Sequence, residues 1–199
     1  MSWLIVLSVL IGLLAGNLLL GPSQIALIAR LSPWALTVLL FCIGFDLALD
    51  RQNWQRFRQL GWRVLLVPLS GIIGSLVGSL SVAWLADLTP WEALSVGAGF
   101  GWYSLSGVLL NSLGFSRLGA IAFLSNVLRE LMTVLLIPWL SRRFDPLIAI
   151  APGGATTMDT TLPLIARYGN TTATLAAFVN GAVLSSLVPL LVPFFARLI

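Results

Sequence analysis

Apolar runs too long for any soluble core dominate this chain. Five stretches, 3–20, 33–49, 64–86, 118–140 and 171–196, are almost continuous hydrocarbon. A helix needs about 20 such residues to cross a bilayer. Only 9% of the 199 residues are charged and 58% are hydrophobic, whereas soluble domains carry roughly 25% charged residues. A water-soluble globule is excluded. The pattern predicts an all-α, multi-pass integral membrane protein forming one transmembrane domain over residues 1–199, because helices satisfy their own backbone in lipid. The first run has no cation before it and no small-residue cleavage site near Asn17, so it reads as a retained span.

The missing residue types narrow the chemistry. All eleven cations are arginine, and there is no lysine and no histidine. A Schiff-base lysine, an imidazole base and a histidine-ligated metal are therefore impossible, and no cofactor or metal is expected. Proton exchange near neutral pH must run through one of the seven carboxylates. The net charge of +4 would suit nucleic acid, but the arginines sit at the ends of apolar runs, where the positive-inside rule puts them. The expected partner is the lipid bilayer, with no nucleic acid. A lone Cys42 excludes a disulfide framework.

Charge also sets the topology. The loop 50–63 holds Arg51, Arg56, Arg58 and Arg63, and Arg142 and Arg143 follow the fourth run, so both places are assigned to the cytoplasm. An even number of crossings must separate them. Helices 64–86 and 118–140 supply two, so the stretch between them, 93–112, should enter and leave on the outer face. It reads ALSVGAGFGWYSLSGVLLNS, too glycine-rich for a plain straight helix. The stretch 146–168, PLIAIAPGGATTMDTTLPLIARY, is likewise broken by Pro152-Gly153-Gly154 and should dip in from the cytoplasm. Arg30 and Arg197 fall on the other side of this scheme. About five full spans plus two interrupted, re-entrant segments from opposite faces is the pattern of a secondary transporter. Gly71, Gly74 and Gly78, on one face of 64–86, read simply as close-packing positions.

Ionisable groups inside spans cost about 2.5–3.5 kcal/mol on insertion scales and usually mark function. Glu130 lies near the middle of 118–140, on a face shared with Gly119, Ala122, Asn126 and Thr133, which would let a polar cavity line the helix. Its neighbour Arg129 points about 100° away along the helix and has Asp159 as a candidate partner. Asp159 follows the Pro-Gly-Gly break, after which a half-helix should restart with Thr156 or Thr157 as N-cap and attract an anion. Trp102, Tyr103 and Ser104 lie inside the outer hairpin, where an aromatic face suits an ammonium. Asp46 reads as interfacial, and Asn180 fits an interhelical hydrogen bond as well as a substrate contact.

Three stretches carry a resemblance: Gly99-Phe100-Gly101-Trp102-Tyr103-Ser104-Leu105-Ser106-Gly107, Ser125-Asn126-Val127-Leu128-Arg129-Glu130-Leu131, and Gly154-Ala155-Thr156-Thr157-Met158-Asp159 followed by Thr161-Leu162-Pro163. Together they resemble the lysine exporter LysO family over roughly 33–196. The resemblance implies export of L-lysine and close cationic analogues across the bacterial inner membrane, and it matches Glu130 and Asp159 to the family's intramembrane acids. Lysine carries a carboxylate and two ammonium groups. Thr156 and Thr157 would hold the first; Glu130 and Asp159 would hold the others, with Asn126, Tyr103 and Ser104 beside them. Glu130 and Asp159 would couple export to proton antiport. Long family members have an additional N-terminal membrane module, so a homodimer or a separate small protein is the expected partner. The alternative is a membrane subunit or scaffold that is inactive without that module. A channel is a further rival. An intramembrane aspartyl protease lacks its flanking motif here, so no enzyme activity is expected.

Overall fold

The computed structural model describes residues 7, 11–12, 14–16, 21–49 and 61–199. The run 3–20 is mostly outside the described residues, as are the arginine loop from 50 to 60 and the side chains of Asp46 and Arg63. All regular structure among the described residues is helical.

Helix α1 covers Pro22–Leu49. It starts ahead of the expected boundary and continues through Pro33, as membrane helices tolerate where surroundings re-satisfy the freed backbone. A 3-10 turn over Gly61–Leu65 leads into α2, Leu66–Val82, which a further 3-10 turn extends to Ala86. The short helices α3, Pro90–Gly97, and α4, Tyr103–Ser112, follow. Next come α5, Ser116–Arg143, the 3-10 segment Ile148–Met158, α6, Leu162–Tyr168, and α7, Thr171–Ala196. Among the described residues, three helices are long and apolar enough to cross a membrane: Leu66–Ala86, Ser116–Arg143 and Thr171–Ala196. They match three of the five runs. At 28 residues, α5 is about 42 Å long by a 1.5 Å rise per residue.

Both interrupted stretches are broken. Thr89 and Glu92 form a capping box with Pro90 at the first helical position, which starts α3 sharply. That helix stops at Gly97, and Phe100 (φ 46°) and Gly101 (φ 100°) then turn the chain through the left-handed region. The Arg117 guanidinium donates to the Ala86 carbonyl at 3.2 Å. The end of the α2 rod and the start of α5 therefore lie together, with 90–112 between them in the chain. At the other end of α5, a Cβ on Gly169 would stand 3.4 Å from the Pro146 side chain. The stretch 146–168 thus also begins and ends in one place.

The two breaks meet. The Ala155 amide donates to the Phe100 carbonyl at 2.8 Å, and a Cβ on Gly154 would strike that same carbonyl. Helix α7 runs alongside both hairpins. Leu184, Val188 and Val192 pack in a core with Phe100, while Ala173, Ala176 and Ala177 pack in a second core with Ile150 and Ile165. Small residues make these approaches possible, but not those expected on α2. A Cβ on Gly71 would stand at ordinary contact, 3.6 Å, from Leu184, whereas on Gly74 or Gly78 it would meet open space. Tight contacts beside that at Gly154 include Gly97 on Ser79, Gly119 on the Gly107 carbonyl and Gly181 on Met158, where the short helices and the broken 148–158 segment pack against α2, α5 and α7.

Candidate functional site

A break in a helix frees backbone groups that need partners in a water-poor interior. Around the tip contact most of the intramembrane polar side chains are committed to that task. The Arg129 Nε donates to Pro152 O at 2.7 Å, with Nη1 on Ser75 Oγ at 3.2 Å and Nη2 on Ala151 O at 3.4 Å. The expected Arg129–Asp159 pair is therefore corrected: the carbonyls freed by the Pro-Gly-Gly break take the guanidinium instead. Asn126 accepts from the Gly101 amide at 2.8 Å and donates to Ala122 O at 2.9 Å and Ser106 Oγ at 3.3 Å. Its side chain is spent on holding the 98–102 turn.

The threonines also serve the break. Thr156 Oγ1 donates to Gly153 O at 2.9 Å, and Thr157 Oγ1 lies 2.7 Å from Gly154 O and 2.8 Å from Ala177 O. Neither caps a helix. The chain continues as 3-10 turns to Met158, and α6 begins only at Leu162 with Thr161 before it. The expected restart at Thr156 or Thr157 is corrected, since their hydroxyls donate to carbonyls two turns too early to accept from helix amides.

The two intramembrane acids, which take no part in that bracing, meet at one cavity of about 130 Å³. Glu130 reaches it from the middle of α5, Asp159 and Thr160 from the chain after the break, and Tyr103 and Ser104 from the first turn of α4. Trp102, Thr156, Met158 and Ser185 complete much of the wall. Asp159 Oδ1 accepts from the Thr160 amide at 2.6 Å and from its hydroxyl at 3.3 Å. Glu130 lines the same cavity, close enough to Asp159 for the two carboxylates to feel one another electrostatically. Tyr103 sits in the field of both and stacks edge-on against Phe123 at 5.5 Å. Among the described residues, no guanidinium figures in the surroundings of either acid.

Of the sequence-selected residues, Glu130, Asp159, Thr156, Tyr103 and Ser104 therefore share one cavity, while Asn126 and Thr157 lie outside its lining. The α5 stripe is buried packing at Ala122, Asn126 and Thr133, and only Glu130 of that helix lines the cavity. Thr160 and Ser185 went unselected. Thr160 had a usable signal, a hydroxyl directly beside an intramembrane acid. On the other side of the tip contact lies a second cavity of about 250 Å³, lined in part by Ser75, Ser79, Asn126 and Arg129 and reaching Ala86 and Leu88.

Comparison with known proteins adds identity. The sequence profile of the family described as lysine exporter LysO matches residues 6–196. The chain is 38% identical over 192 residues to the lysine exporter LysO of Escherichia coli, covering 94% of this chain and 63% of that protein. It is 33% identical over 165 residues to a Haemophilus influenzae protein named "Putative lysine exporter", covering 82% of this chain and 83% of that one. The chain thus spans less than two thirds of the length of the Escherichia coli relative. No solved structure matches it. With nearly the whole chain matched and two such relatives, this membrane protein belongs to the lysine exporter LysO family.

Proposed function

We propose that this protein exports L-lysine or a close cationic analogue across the cell membrane as a secondary transporter, coupled to proton antiport through Glu130 and Asp159. One observation carries the reading: two carboxylates share a cavity that no arginine lines among the described residues. A substrate with two ammonium groups neutralises both, and the Tyr103 and Trp102 rings offer a cation–π face. Once the substrate leaves, a proton on Glu130 relieves the repulsion between the acids. The family names of the two relatives support lysine as the substrate. The start of α4 at Tyr103 and Ser104 lies on the cavity wall, so that helix N-terminus and the Ser104 hydroxyl are the donors assigned to the substrate carboxylate.

Both interrupted stretches serve here as re-entrant hairpins from opposite faces. The shared ends at Ala86–Arg117 and Pro146–Gly169 support this, and the two cavities on either side of the tip contact suit alternating access. Single cysteines in place of Glu92 and Ser112, in a Cys42→Ser background, should react with a membrane-impermeant maleimide from one face. Cysteines at Asp145 and Asn170 should react only from the other. Labelling of the 92 and 112 positions from opposite faces would replace the hairpin with a full crossing.

Counterflow of labelled lysine in proteoliposomes tests the function itself. Lysine-loaded vesicles should accumulate label transiently, and a pH gradient should drive uptake without internal lysine. Accumulation without preloading or a gradient is impossible for a carrier or a channel; linear, non-saturating leak would mark a channel. No flux from this chain alone would favour the reading as a membrane subunit that requires a partner, a second copy or a separate small module.

A further inference from the structure

The acidic cavity has a neighbour. Between α4 and α5 runs a groove of about 470 Å³, walled by Ser104 and Asn111 on one helix and by Ser116, Ala120 and Phe123 on the other. Gly107 and Gly119 also line it and have no side chain to fill it. Residues three, four and seven apart share a helix face, so the α5 wall continues from Ser116 through Phe123 to Glu130, each step about 10 Å by the helical rise. Ser104 lines both the groove and the acidic cavity, so the two hollows adjoin. The far end of the groove, at Asn111 and Ser116, lies where α4 ends and α5 begins.

This groove is not built for lipid. Asn111 accepts from the Ser116 hydroxyl at 2.8 Å, but its two amide hydrogens and the Ser104 hydroxyl have no hydrogen-bond partner among the described residues. Ser104 is exposed and lies two turns, about 10 Å, deeper along α4 than Asn111. A bare hydroxyl against hydrocarbon is costly, so water has to reach it, and the groove is the continuous way in. One contact crosses that way at its inner end. The Phe123 ring, on the groove, meets the Tyr103 ring, on the cavity wall, edge-on at 5.5 Å. Phe123 is 44% exposed, which leaves its ring room to swing.

We propose, resting on the lysine-export reading, that this groove is the path of the cationic substrate between the acidic cavity and the membrane face where α4 ends, and that Phe123 is its gate. The two acids at the inner end draw a cation along it, and no arginine lines it among the described residues. The aromatic rings offer an ammonium a favourable face in passing. With Phe123 against Tyr103 the cavity and the groove are separate hollows; a rotation of the Phe123 side chain joins them.

Single cysteines in a Cys42→Ser background test this, on the full chain in vesicles. The probes are two membrane-impermeant methanethiosulfonates, one bearing a quaternary ammonium and one a sulfonate. Ala120→Cys should react from the same face as Ser112→Cys, severalfold faster with the cationic probe. Leu124→Cys, 65% exposed but off the groove, should stay inert, because lipid excludes both probes. Met158→Cys, on the wall of the acidic cavity, should react slowly. Adding Phe123→Ala or Phe123→Leu should speed it up to about tenfold, as for loss of one aromatic contact. Should Phe123→Ala fail to fold, Phe123→Leu decides. Equal rates at positions 120 and 124, or a Met158→Cys rate unchanged by the Phe123 variants, would overturn the proposal. These rates need no transport, so they stand even if lysine counterflow fails. Counterflow with an inert Ala120→Cys would overturn the path and leave the lysine reading intact.

Discussion

Replacing Glu130 with glutamine is expected to abolish lysine efflux from whole cells while leaving the protein folded and in the membrane. Glutamine keeps the size of the side chain, so the cavity wall survives. What disappears is one of two negative charges in a cavity that no arginine lines among the described residues. A charged hydrogen bond contributes about 1.5–3 kcal/mol, so substrate affinity should fall about ten- to a hundredfold. Proton exchange should be lost outright, because an amide does not titrate. Two companion variants give the result its meaning. Asp159→Asn should weaken lysine binding to a similar degree. Thr160→Ala, which removes only a hydroxyl bonded to Asp159, should cost severalfold at most. Undiminished efflux from Glu130→Gln cells would sink the assignment.

Much of this was readable before any coordinates, and the reason is the bilayer. Lipid forces apolar runs into helices of known length, so 64–86, 118–140 and 171–196 correspond closely to the helices found. Pro152-Gly153-Gly154 could only be a break, and the same constraint marked Glu130 and Asp159 as costly residues needing a purpose. Sequence shows depth in this way, yet it does not show which way a polar side chain turns once the backbone has broken. Asn126, Thr157 and Arg129 lie at the same depth as the acids and were equally plausible around a ligand. The breaks decide the matter: at Gly101 and at Pro152 they free amides and carbonyls, and those nearest side chains are consumed by them. The candidate functional residues are the acids that this bracing leaves over, a subtraction that requires the three-dimensional count of backbone groups. The same logic explains why the threonines failed as helix caps. They lie among carbonyls that lack donors, and a hydroxyl hydrogen goes there first.

Gly154→Ala is expected to be the most damaging single-atom change in the chain. Gly154 has φ 60° and ψ −128°, a conformation that glycine adopts freely and L-residues avoid. Held in place by the surrounding structure, such a backbone costs about 1–3 kcal/mol for an alanine. The added Cβ also has nowhere to go. It would strike the Phe100 carbonyl, backbone rather than a movable side chain, and stand 3.1 Å from Arg129 Nη2. Relief requires the 98–102 and 153–155 tips to separate, which breaks the bond from the Ala155 amide to Phe100 O and disturbs the Arg129 bonds to Pro152 and Ala151. The walls of the acidic cavity come from these same tips, through Gly101 and Ala155. The variant should therefore lose lysine exchange in vesicles and melt several degrees lower, an effect ordinary for a loss of a few kcal/mol. Gly74→Ala supplies the control, since its Cβ would meet open space, and it should match the wild type in both measurements. Gly153→Ala falls between them: its Cβ would press on the Thr157 methyl and Thr161 hydroxyl, side chains that can move. A Gly154→Ala protein with wild-type exchange would show that the tips need not touch for transport, and that the two hairpins act independently.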